Sequence, residues 1–228
     1  MIPLCLADAV VATVVIILGF VVIIGLIVWF SWRSAKKRVE EFQRVADEIG
    51  LPFYPRGDNS LLSSLHGFHL FSVGYDKTIR NMLHGNSDNV EVAIFDYAYA
   101  VGSGDTASAH FQSVIYFRSS RLALPHFALR PESIFHKMGS AMGYQDIDFD
   151  SHPQFSRTFL LQGADEASIR SLFKPELLTF LESQQQISIE GGGDQMVYYR
   201  NAKRIKPEEV RDFMQQGFEI YSRFLEVT

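Results

Sequence analysis

Asp146, Asp148 and Asp150 alternate with Ile147 and Phe149 in the run DIDFDSH, and His152 follows in the same parity. Carboxylates and an imidazole are ligands for divalent cations, and carboxylates in pairs serve acid–base chemistry. The spacing limits both uses. In an extended chain, alternate side chains share a face about 7 Å apart, too far for all four groups to grip one ion unless the backbone bends. Calcium loops bend through a glycine, whereas Ile147 and Phe149 fill the intervening positions here. The first expectation is therefore a half-buried strand with its acids in water. The alternative is a divalent-cation site, or a metal-dependent hydrolase, built on Asp146, Asp148, Asp150 and His152.

No other set of residues makes a stronger claim. His66 and His69 stand three apart in LHGFH with no acidic partner at zinc spacing. GSGD (102–105) and EGGGD (190–194) lie between strand-like runs and lack G-K-[ST], so their glycines read as hairpin turns, not phosphate cradles. There is no G-x-S-x-G elbow. Arg130, in LRPES (129–133), could recognise an anion, but the context favours a helix start.

Charge and cysteine content exclude further classes. The net charge is -5, and residues 1–49 carry equal numbers of acidic and basic side chains, so the remainder holds the whole imbalance. A nucleic-acid partner, which demands a basic face, is not expected. The single cysteine, Cys5, rules out an internal disulfide and a cysteine zinc cluster. No cofactor is expected apart from the cation of the alternative reading.

Residues 9–32 carry no charge and are mostly Val, Ile, Leu, Phe, Ala and Gly. At about 1.5 Å per residue they reach across a hydrocarbon core of about 30 Å with some tilt. Trp29 and Trp32 sit at one end, and Arg33, Lys36, Lys37 and Arg38 follow at once. Indoles favour the interface and cations stay inside. The expected arrangement is a short extracytoplasmic N-terminus (1–8), a transmembrane helix (9–32), a helical stalk (33–50) and a cytoplasmic domain (51–228). The location is the plasma membrane, with residues 33–228 in the cytoplasm. A cleaved signal peptide fits poorly, because there is no basic n-region and the apolar run is too long.

The domain reads as α+β: a mixed sheet with hairpins, packed by amphipathic helices. Residues 67–74 read as a strand and 75–85 as a helix. Residues 89–102 and 110–118 form a hairpin, and a helix runs from Pro131 to Gly143. A strand covers 157–163, helices broken at Pro175 cover 164–183, and a second hairpin covers 186–200. A long amphipathic helix opens at Pro207. LFSVGYDKTIRNML (70–83) echoes FLLQGADEASIRSLF (159–173), which a duplicated strand-helix-hairpin lobe would explain, with sub-lobes 51–145 and 146–228. The ordinary chemistry of a strand-to-helix turn would explain it equally.

The succession FDYAY, LPHFALRPE, GYQDIDFDSHPQFSR and YYRNAKRIKPEE resembles a group of bacterial single-pass membrane-anchored proteins to which no activity is assigned. The resemblance spans most of residues 40–226. It implies an anchored cytoplasmic domain and carries over no catalytic residue. The expected function is a membrane-anchored binding or scaffolding module without catalysis. Its partners would be the bilayer, through residues 9–32, and a protein at the membrane.

Overall fold

The structure, a computed structural model, describes residues 3–87, 89–133 and 145–228. It separates into two compact units, Met1–Arg44 and Val45–Thr228. Helix α1 (Pro3–Ile49) is unbroken, so the expected span and stalk are one element. From Thr13 on it is long and apolar enough to cross a membrane, and none of its apolar stretch is buried. At the end of that stretch the Arg33 guanidinium stands 5.5 Å from the Trp29 ring, and the Lys36 ammonium 5.9 Å from the Trp32 ring. Lys36 and Lys37 pair with Glu40 and Glu41 one turn on, at 3.8 and 3.5 Å. Gly50 stops the helix, its positive φ letting the next N–H, that of Leu51, fold back to Ala46 O at 3.0 Å.

The second unit contains β1 (Phe53–Tyr54), α2 (Ser60–Leu65), α3 (His69–Ser72), β2 (Tyr75–Asn86), β3 (Glu91–Val101), β4 (Ser108–Arg118) and β5 (Leu124–Pro131). After these come α4 (Pro153–Thr158), β6 (Phe159–Gln162), α5 (Glu166–Leu172), α6 (Pro175–Glu182), β7 (Ser188–Gly193), β8 (Gln195–Tyr199) and α7 (Val210–Val227). The described strands form one sheet in the order β1-β2-β3-β4-β8-β7-β5-β6. The α+β class holds, but every neighbouring pair is antiparallel, where a mixed sheet was expected. Parallel pairs need a crossover, and here hairpins join β2 to β3, β3 to β4 and β7 to β8.

Residues 67–86 reverse the expectation: 69–72 are helical and 75–86 a strand. The cause is a bulge. Asn81 has φ +49°, and the β2–β3 register slips between Arg80 and Leu83. The extra residue spaces Ile79, Met82 and Leu83 by three and four, which imitates a helical stripe. With 70–83 reassigned, its echo of 159–173 is lost, because a helix now stands opposite a strand. Nor does the sheet follow sub-lobes 51–145 and 146–228, since β8 and β7 lie between β4 and β5. The helix expected from Pro131 to Gly143 falls largely on 134–144, outside the described residues.

The two faces of the sheet are packed differently. One presents Ile115, Phe117, Phe127, Leu129, Phe159, Leu161, Ile189 and Tyr198 to the helices α4–α7. The rings interlock: Phe173 contacts Phe127, Phe155 and Phe224 at 5.2, 6.1 and 6.0 Å, and Phe117 stacks on Tyr221 at 5.0 Å. Gly217 lets α7 approach closely, since a Cβ there would stand 2.9 Å from Ile115 Cδ1. The other face presents Ile79, Phe95, Tyr97, Tyr99, Val114, Tyr116, Val197 and Tyr199, covered by Leu65, Phe68, Leu70 and Phe71 of α2, α3 and the turn between them.

Candidate functional site

The acidic run passes along the outer edge of β6. Ile147 N–H donates to Leu161 O at 2.8 Å, and Leu161 N–H donates to Asp146 Oδ1 at 2.9 Å. Asp146 thereby occupies a backbone donor of the edge strand, which would otherwise be open to another chain. Ile147 is buried, while Asp148 and Asp150 face solvent. The Asp148 carbonyl accepts from Arg170 Nη1 at 2.7 Å, and that guanidinium lies 5.1 Å above the Phe149 ring. His152 leads into α4, with Nδ1 3.0 Å from Ser151 Oγ and Nε2 3.4 Å from Thr179 Oγ1. Loss of solvent at the strand edge pushes the Asp146 carboxyl up to about 6, against the pull of the Leu161 N–H. Among the described residues no three His, Cys, Asp or Glu side chains stand together as a metal cluster.

A second constellation lies beneath α3, where β5, β7 and β8 run side by side. Glu190 is 1% exposed. Its Oε1 accepts from Tyr199 OH at 2.7 Å and from Leu70 N–H at 3.1 Å, so it ties α3 to the sheet. Burial pushes the Glu190 carboxyl up, and it keeps the Tyr199 phenol protonated, with Glu190 adding to that effect. Two residues along β5 from Ala128, which pairs with Glu190, stands Arg130, 7% exposed. Its Nη2 donates to Gln162 Oε1 at 2.7 Å, and its Nε has no partner among the described residues. His69 is equally buried, and burial, then Arg130, lowers its pKa to about 4. The imidazole is therefore neutral at ordinary pH, and among the described residues its Nε2 is unpartnered, as is Ser188 Oγ. His69, Arg130 and Ser188 border one cavity of about 10 Å3, together with Leu70, Val73, Tyr99, Tyr199 and Asn201. That is room for about one water. Ser188 and His69 are not hydrogen-bonded to each other, so they do not form a nucleophile–base pair.

The third feature is an uncovered patch. On the face that carries the aromatic layer further along, cross-strand rows run Tyr75–Ala100–Ala109 and Thr78–Ala98–Phe111. Arg80, Asp96 and Ser113 make the next row. Buried Asp96 accepts from Asn81 Nδ2, Ser113 Oγ and Arg204 Nη2 at 2.8, 2.9 and 3.0 Å. This holds residues 203–205 against β4 and closes the face there. Beyond that point nothing among the described residues covers it. Tyr75 and Phe111 are 45% and 47% exposed on either side of an alanine floor. Arg204 stands 5.9 Å from the Phe111 ring, and Arg80 is exposed without an ion pair among the described residues.

Sequence reasoning found the acidic run and singled out Arg130, but as a helix start. It weighed His69 only as a metal ligand and missed Glu190, Ser188 and Tyr199. The usable signal was a lone acid in QISIEGG and a lone base in HFALRP, each inside a run expected to be a covered strand.

A single apolar helix leading without a break into an antiparallel α+β domain defines the class. No family model matches the sequence, and no curated protein does. Among solved structures, the chain is similar to the crystal structure of the mycobacterial trehalose monomycolate transport factor A, TtfA. The TM-score is 0.59 at 12% identity, covering 83% of this chain and 93% of that one. At that identity the likeness is one of fold.

Proposed function

We propose that this chain is a single-pass membrane protein whose domain is a non-catalytic docking module on the cytoplasmic side of the plasma membrane. The observation that carries the reading is the uncovered patch on β2, β3 and β4. Two exposed rings, two strands and one row apart, flank small side chains, and the Arg80 guanidinium, without an ion pair among the described residues, stands at one end. An amphipathic segment of a partner protein fits this chemistry, with an apolar side chain between Tyr75 and Phe111 and a carboxylate on Arg80. Aromatic residues and arginine are the usual anchors of such interfaces. The basic flank Arg33, Lys36, Lys37 and Arg38 supports the cytoplasmic orientation. Sharing a fold with a protein described as a transport factor fits a role exercised through other proteins.

The test is site-specific photocrosslinking of the full chain in native membranes. A photoreactive phenylalanine at position 111 is compared with one at exposed Gln154, on α4. One discrete adduct is expected at 111 alone, and Arg80→Glu should abolish it. Phe111→Asp should change folding stability by no more than about 0.5 kcal/mol, as surface substitutions usually do, while removing the adduct's partner from the purified complex. Adducts of the same pattern at both positions, or indifference to Arg80→Glu, would sink the reading.

A further inference from the structure

We propose that the cavity bordered by His69, Arg130 and Ser188 is a binding site for a small anion, chloride or one oxygen of a carboxylate or phosphate group. The proposal goes beyond the docking surface and is independent of it, since the cavity lies on the opposite face of the sheet.

The argument starts from Arg130. A guanidinium removed from water is costly unless an anion compensates it. Among the described residues the hydrogen bond of Arg130 runs to a neutral amide, Gln162 Oε1 at 2.7 Å, while Nε is left without a partner. Ser188 Oγ, fully buried on β7, and His69 Nε2, on α3, are also unpartnered among the described residues, and both residues border the same cavity. Most buried polar atoms in folded proteins are satisfied, so three orphans around one cavity call for a common partner. Each of the three can donate: the guanidinium always, the hydroxyl by rotation, and the neutral imidazole in its Nε2–H tautomer. The hydroxyl and the imidazole could also accept, but the guanidinium can only donate and carries a fixed positive charge, which selects an anion over a cation. The cavity of about 10 Å3 has room for one oxygen-sized atom, and chloride, being larger, would have to widen it.

Glu190 is the objection, because it faces the cluster from β7. Its two strongest contacts answer it in part: Tyr199 OH and Leu70 N–H already hold its carboxyl. Burial also favours its neutral form, in which Arg130 is the cluster's only charge. His69 from α3, Arg130 from β5, and Tyr99 and Tyr199 from β3 and β8 are the other titratable groups around it. Of these, the imidazole and the two phenols stay neutral from pH 5 to 8, since Tyr99 is also pushed up by burial. An anion is therefore expected to bind together with a proton on Glu190, and more tightly as pH falls.

The experiment is a thermal melt of the full chain in detergent. It is titrated with sodium chloride, formate or phosphate at constant ionic strength, with a bulky organic anion as balance. At about 100 times the dissociation constant, one bound ion should raise the midpoint by about 5–10 °C. Ser188→Ala should weaken the effect roughly tenfold, the worth of one hydrogen bond to a charged group, and Arg130→Gln should abolish it. Chloride as the strongest ligand identifies an inorganic ion; formate or phosphate identifies the acid head of a larger molecule. No saturable rise with any of the three overturns the proposal, as does a rise unchanged by Ser188→Ala. Because Ser188→Ala removes one atom from a strand that otherwise keeps its pairing, it decides the matter even if Arg130→Gln does not fold.

Discussion

The two faces of this sheet meet the same problem, covering eight strands, with different materials. On one face, α7 and the shorter helices α4–α6 bring enough side chains to make a continuous aromatic layer, with Phe173 at its centre. On the other, α2 and α3 are six and four residues long. A four-residue helix buries too little apolar surface to hold itself in place, and a carboxylate on the sheet takes its N–H instead. The apolar face therefore carries stability, while the polar face carries specific hydrogen bonds and orphaned donors. Groups left unsatisfied in a folded core are where binding is to be sought.

The largest predicted effect tests the apolar half of that contrast. Phe173→Ala removes a ring that touches Phe127, Phe149, Phe155 and Phe224. The loss of transfer energy plus a cavity among rings that cannot collapse should cost about 3–5 kcal/mol. Urea unfolding of the full chain in detergent measures it. A cost below about 1 kcal/mol would mean that the layer is loosely packed and the contrast between the faces false.

The polar half is tested by Tyr199→Phe, which removes a single donor from buried Glu190. A hydrogen bond to a charged group is worth about 1.5–3 kcal/mol, so the loss is smaller than at Phe173 but depends on pH. The folded-state pKa of Glu190 is raised. Its burial therefore favours folding in acid, and that advantage is lost as pH rises through the folded pKa. Without the Tyr199 hydroxyl the ionised form is worse still. The penalty of Tyr199→Phe should be largest at high pH and shrink as pH falls through the raised folded-state pKa. A penalty independent of pH would show that the hydroxyl packs without holding a charge.

How far the sequence reveals this depends on the distance over which each feature is assembled. α1, the β3–β4 and β7–β8 hairpins, the break between α5 and α6 at Pro175, and α7 all follow from patterns within about twenty residues, and all are present. The β2 segment was hidden by one residue: the bulge at Asn81 reset its alternation into a helical rhythm. The polar cluster was hidden by separation, since Leu70 and Glu190 lie 120 positions apart. No local spacing rule joins His69 to Arg130 and Ser188. The acidic run lay between these cases. Its alternation showed that Ile147 would be buried and the aspartates exposed, but not that Asp146 would turn onto the edge of β6.

That turn gives the smallest predicted effect and the sharpest sign. Asp146 is an exposed residue whose carboxyl meets the β6 backbone, and its pKa of about 6 in the fold exceeds the unfolded value of about 3.9. An acid with a raised folded-state pKa favours folding below the unfolded value and loses that contribution as pH climbs from about 4 to about 6. An asparagine at this position would keep an oxygen for the Leu161 N–H but cannot ionise. Asp146→Asn should therefore match the natural protein near pH 4 and exceed it slightly near pH 7. The gain should be about 0.5 kcal/mol or less, because solvent screens an exposed group. Urea midpoints at the two pH values read the difference. If the substitution instead costs stability at neutral pH, and divalent cations deepen the cost, the carboxylate is being held as an anion by a bound ion. The run from Asp146 to His152 would then be a cation site, and the polar chemistry of this domain would lie at its edge as well as beneath α3.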